Sequence, residues 1–98
     1  MQQNLAIGWE KLNVTEDTLV HTGKSILHAI TLNGITTVGD IAVYDGVDAT
    51  GTLVATINAR TAVHVSFQGM TFLYDCKMVT GIYIDVTDFV GNVTVTWG

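Results

Sequence analysis

Apolar and polar side chains alternate along most of this chain. Val93, Val95 and Trp97 alternate with Thr94 and Thr96, and Ile82, Ile84 and Val86 alternate with Tyr83, Asp85 and Thr87. Val63, Val65 and Phe67 alternate with His64, Ser66 and Gln68. Leu53, Ala55 and Ile57 do the same against Thr52, Thr56 and Asn58, with Val54 breaking the polar set. A period of two is the mark of a strand with one face in a core and one face out.

Turn signals separate these runs: Asn33-Gly34, Asp45-Gly46, Thr50-Gly51, Gln68-Gly69, Thr80-Gly81 and Gly91-Asn92. Gly and Asn accept positive φ, and Asp bonds its own backbone. The strands expected are Ile7–Val14, Thr18–His21, Ser25–Leu32, Asp40–Tyr44, Thr52–Asn58, Val63–Phe67, Thr71–Leu73, Ile82–Thr87 and Asn92–Trp97. Ser25–Leu32 also fits a helix through Ile26, Leu27, Ala29 and Ile30; the β-branched flanks and the following Asn-Gly decide for strand. Short strands at this spacing predict an all-β fold, an antiparallel two-sheet β-sandwich of jelly-roll kind. Residues 7–98 form the single domain, preceded by an N-terminal arm at 1–6.

Composition reinforces the strand reading. Thr, Val and Ile make up more than a third of the 98 residues, and these side chains are stiff at χ1 and suit a pleated surface. Proline is absent, so strand edges need another protection. Charged residues are 13% of the chain, about half the usual share, with a net charge of −5. Only four cations are present, too few to line a phosphate groove, so no nucleic-acid partner is expected. An apolar-rich chain with so little charge is expected to hide part of its surface against other chains. The lone Cys76 forms no internal disulfide and reads as a small buried hydrophobe. Residues 1–15 have no basic start and no apolar h-region, and no apolar run approaches about 18 residues. Neither a secretion signal nor a membrane helix is expected.

The candidate chemistry is sparse. Asp40, Asp45 and Asp48 surround the loop DGVDATG, where either a calcium ion or ordinary turn capping accounts for them. Asp85 and Asp88 are three apart, without a sign of the cleft a glycosidase needs. His21, His28 and His64 fall on separate strands and lack the short spacings of a zinc site. His28 shares parity with Ile26, Ile30 and Leu32, which places it at the edge of a core. Ser25 and Ser66 have no nucleophile motif around them. No catalytic residue, metal or cofactor is assigned, and the chain is read as a non-enzyme. Trp97 reads as core. Tyr83, opposite in parity to Ile82 and Ile84, is the best exposed aromatic and an interface candidate.

The stretches "TEDTLVHTGKSILHAITLNG", "IAVYDGVDATGTLVATI", "GMTFLYDCKMVTG" and the closing "VTVTWG" resemble small β-sandwich accessory proteins of tailed bacteriophages. The resemblance covers Thr15 to Trp97 and rests on turn and strand patterns. "DCKMV" at Asp75–Val79 and the closing Trp97-Gly98 depart from the pattern. The resemblance implies a virion component on the capsid surface, made in the bacterial cytoplasm. The expected function is that of a decoration or cement protein, binding the major capsid (coat) protein as a homo-oligomer, a trimer first. The alternative is a tail or fibre module that binds a host glycan. Met1, Gln2, Gln3, Asn4 and Leu5 of the arm, with Tyr83, are the expected partner contacts.

Overall fold

The structure, a computed structural model, describes residues 8–59 and 70–98. Of these, 74% lie in strands and none in helices. The strands are β1 (Glu10–Val14), β2 (Thr18–Thr22), β3 (Ser25–Thr37), β4 (Gly39–Asp45), β5 (Thr52–Ala59), β6 (Met70–Met78), β7 (Gly81–Asp85) and β8 (Val90–Trp97). They form two antiparallel sheets, β1-β8-β3-β6 (sheet A) and β2-β7-β4-β5 (sheet B).

The order of the strands explains the architecture. β1 neighbours β8, β2 neighbours β7, β3 neighbours β6 and β4 neighbours β5. The chain is therefore one long hairpin, folded at the β4–β5 loop and rolled up so that successive pairs fall in alternate sheets. This is the jelly-roll form of the β-sandwich. The expected segment Val63–Phe67 and the Gln68-Gly69 turn lie outside the described residues.

The alternation seen in the sequence becomes the core. Leu27, Ile30 and Leu32 of β3, with Val93 and Val95 of β8, face Ile41 and Val43 of β4 and Ile82 and Ile84 of β7. All of these are buried, and full burial of each such side chain stabilises the fold by about 1.5–3 kcal/mol. Among the described residues no buried side chain is polar or charged. Trp97 is on the inner face but only half-buried, at the rim, 6.0 Å from the His21 ring.

Two expected turns are strand interior instead. Asn33-Gly34 lies inside β3 and Gly91-Asn92 inside β8, and they pair as Gly34↔Asn92 and Ile35↔Gly91. Of these two glycines, Gly91 is required for close approach. A Cβ on Gly91 would sit 2.1 Å from the Gly34 carbonyl oxygen and 2.6 Å from the Phe89 ring. The glycine with a left-handed backbone is Gly23, φ 104°, between β2 and β3, which the turn reading passed over. β6 runs through Met78, well beyond Leu73, because Tyr74 and Cys76 continue to pack against the core. β7 ends at Asp85, where the Asp85 side chain takes the Thr87 N–H and turns the chain.

Gly91→Ala is expected to destabilise the fold by about 2–3 kcal/mol, since its clash is with backbone. Gly34→Ala meets no atom within 4 Å and should be neutral or stabilising by about 0.5 kcal/mol. Urea midpoints of the two variants check the contrast; equal midpoints would contradict it.

Candidate functional site

Both outer faces of the sandwich carry organised side chains, of opposite character. On sheet A the middle of the face is small, polar and uncharged, with Leu73 and Ile26 exposed toward the β6 edge. The register places Asn13, Thr94, Thr31 and Thr71 side by side across all four strands. The Thr31 and Thr71 hydroxyls lie 2.9 Å apart, Asn33 Nδ2 donates to Thr94 Oγ1 at 2.8 Å, and Asn13 Nδ2 donates to Asn92 Oδ1 at 3.1 Å. These groups satisfy one another, and cross-strand pairs of this kind each add a few tenths of a kcal/mol.

One end of the same face is marked by a β-bulge at His28. Leu27 pairs with Cys76 and Ala29 with Leu73, so Tyr74 and Asp75 both lie opposite His28. The bulge reverses parity along β3: Ile26 is exposed, whereas Ile30 and Leu32 are buried. The expected place of His28 at a core edge is thereby corrected. Its ring lies outside, stacked on Trp9 at 4.1 Å and 3°, and its Nδ1 donates to Asp75 Oδ1 at 2.6 Å. Asp75 has φ 46°, a conformation unusual for a residue with a side chain. The Trp9 ring in turn covers Gly98, where a Cβ would come within 2.9 Å of it. The cluster staples β1 to β3 and β6. The exposed His28–Asp75 contact is worth under about 1 kcal/mol.

The Asp45 and Asp48 carboxylates cap turns. Asp45 Oδ1 accepts N–H bonds from Thr80 (2.8 Å), Val79 (3.1 Å) and Gly81 (3.3 Å), and Oδ2 a second from Val79 (2.9 Å). The bond from Val79, reinforced by those from Thr80 and Gly81, holds the Asp45 carboxyl below its ordinary value against partial burial. Asp48 Oδ1 accepts the Thr50 hydroxyl and, at 2.9 Å, the Thr50 N–H, which lower its pKa too. Gly23 N–H donates to the Thr80 carbonyl at 2.8 Å, so the β2–β3 turn, the β4–β5 loop and the β6–β7 turn are tied at one end. At the other end Asp17 Oδ1 takes the Val86 N–H at 2.7 Å. Among the described residues no three His, Cys, Asp or Glu side chains gather as a metal site would require.

The outer face of sheet B is apolar in the middle. Leu19, Tyr83, Tyr44 and Leu53 are partners in register across β2, β7, β4 and β5. Tyr83 is half-buried, more covered than its parity suggested, because Tyr44 lies beside it with ring centroids 6.4 Å apart and planes at 51°. Leu19 and Leu53 remain 43% and 54% exposed. Each is set outward by a bulge. At Val20, Leu19 and His21 end on opposite faces; at Val54, Leu53 and Ala55 do. Leu53 had been expected to share the inner face with Ala55 and Ile57. The break at Val54 in the alternation was the signal of the bulge, and the adjacent Leu19 and Val20 were its counterpart in β2.

The remaining candidates are not brought together. Asp85 caps its own turn through Thr87, and Asp88 lies in the loop packed on Gly39. Ser25 Oγ is buried without a hydrogen-bond partner, so no base stands beside it. Burial pushes the Cys76 thiol up, and the nearby Asp45 and Asp75 charges add to this, so it stays a neutral thiol. The expected arm contacts Met1, Gln2, Gln3, Asn4 and Leu5, together with His64 and Ser66, lie outside the described residues. No family model, curated protein or solved structure matches this chain.

Asp45→Ala is expected to lower stability by about 1–2 kcal/mol at neutral pH, at the low end for charged acceptors because solvent reaches the carboxylate. The folded-state pKa lies below the ordinary 3.8, so the contribution is present above that value and is lost as pH falls through the folded pKa. The gap between wild-type and variant unfolding curves should hold from neutral pH to about pH 4 and close below it. A gap independent of pH would show that the charge is not what holds the turn.

Proposed function

We propose that this chain is a structural component of a tailed-bacteriophage particle, a decoration or cement protein that binds assembled coat protein on the outside of the head. It works through buried contact area, as a homo-oligomer with a trimer the first expectation, and it does no covalent chemistry. Double-sheet jelly rolls serve as capsid components, as lectins and as ligand-holding barrels. The observation that carries the choice among these is the interior. A ligand-holding roll needs converging polar groups between its sheets. Here the fully buried residues among those described are apolar, and the buried Ser25 Oγ has no hydrogen-bond partner to converge with.

The glycan-binding alternative draws on Tyr44 and Tyr83. Their planes differ by 51°, so they do not offer a sugar ring one flat platform, and the coat-binding reading is preferred. A stable association of this kind buries on the order of 1,600 Å² in total, which one sheet face with its surrounding loops can supply.

Gold-labelled antibody against this chain, applied to intact purified particles, is expected to mark heads. Label confined to tails would favour the glycan-binding module. Absence of the chain from particles would remove both readings.

A further inference from the structure

The row Leu19–Tyr83–Tyr44–Leu53 crosses the whole of sheet B, roughly 14 Å at ordinary strand spacing. Two separate bulges, one in each edge strand, place its two leucines outward. Bulges also protect edges, and one alone would need no further reason. Here both deliver an apolar side chain to the same transverse line, beside the two tyrosines of the central strands. A monomer gains nothing by keeping leucines in water at this position.

The charge around the row has one sign. Asp85 pairs with Ala42 in the next line of the same face. Asp17 immediately precedes β2 and takes the Val86 N–H just beyond β7, and Asp48 lies in the β4–β5 loop. Partial burial pushes the Tyr83 hydroxyl pKa up, and the charges of Asp17, Asp85 and Asp48 add to this. The described lysines are elsewhere. Lys11 and Lys77 pair with Thr96 and Ile26 of sheet A, and Lys24 lies in the β2–β3 turn. The apolar row therefore sits in a negative field, while the opposite face is uncharged in its middle and carries Lys11, Lys77 and Asp75 toward its edges.

We infer that the outer face of sheet B is the docking surface, and that its occupant is a basic segment of a partner protein. Lys or Arg stems lie along Leu19, Tyr83, Tyr44 and Leu53, and their cationic heads reach Asp85, Asp48 and Asp17. Long basic side chains suit such a site because they bury an apolar stem while the charge stays at a polar rim. Cations also favour the faces of tyrosine rings. The coat-binding reading gives the partner its identity; the chemistry of the face stands apart from it.

The test uses the amphipathic peptide amide Arg-Leu-Arg-Leu-Arg, titrated into the full chain with amide shifts followed by NMR. The expected shifts centre on Leu19, Tyr44, Leu53, Tyr83 and Asp85. Tyr83→Ala and Leu53→Ser, with unchanged unfolding midpoints, should each weaken binding roughly tenfold. Shifts spread evenly over all acidic residues, or centred on Thr31 and Thr94, would overturn the inference. So would a glycan that binds the wild type and not Tyr83→Ala, or self-association abolished by Leu53→Ser. The two levels separate on particles. Peptide binding at this face by a chain absent from particles supports the face and removes the virion reading. Head labelling by Tyr83→Ala equal to wild type supports the virion reading and removes the face.

Discussion

The structure depends on one requirement: every second side chain of each strand must lie between the sheets. The two inner faces have no other partner than each other. Leu27, Ile30, Val93 and Ile84 meet only because β3, β8 and β7 keep their registers. A slip of one residue in any strand would turn its whole apolar set to solvent. The long paired hairpin guards against such slips, since each strand except the edge strands is held on both sides.

Where the period of two is broken, the outer faces acquire their features. The bulge at His28 frees an imidazole to sit between Trp9 and Asp75. The bulges at Val20 and Val54 bring Leu19 and Leu53 into line with the tyrosines. The core tolerates these interruptions because they fall in an edge strand, or at the end of β3 where the rim is open. The result is a molecule with one self-satisfied Thr and Asn face, one apolar and acidic face, and ends sealed by the carboxylates of Asp45 and Asp17. A surface divided in this way suits a protein that lies flat against something larger.

Much of the fold was legible in the chain, and the reason is the same period of two. The all-β class, the two sheets and most strand cores follow from side-chain alternation, which is a local property. What was not legible depends on distant partners. Gly34 and Gly91 look like turn residues until β3 and β8 are laid side by side and the Gly34 carbonyl leaves no room for a Cβ on Gly91. His28 looked like an edge-of-core residue because parity was counted straight through its bulge. Tyr83 was found by parity alone, but Tyr44 was not joined to it, since strand order cannot be read from either strand. The acids of the β4–β5 loop favoured turn capping over calcium, without showing which N–H groups they cap. For Asp45 these belong to Val79, Thr80 and Gly81, more than 30 residues away.

The rolled hairpin also governs how the chain reaches this state. β1 has its partner in β8, and β2 in β7, so the earliest strands wait for the latest ones. As the polypeptide leaves the ribosome, only β4 with β5 can close over a short loop; the sheet containing β1 is completed last. Topologies dominated by such distant pairings fold in milliseconds to seconds, far more slowly than helical bundles of equal size. During that interval the β-branched, proline-free strands are exposed to one another between chains. The bulges in β2, β3 and β5 then have a kinetic value besides their geometric one: an irregular strand is a poor template for an identical neighbour.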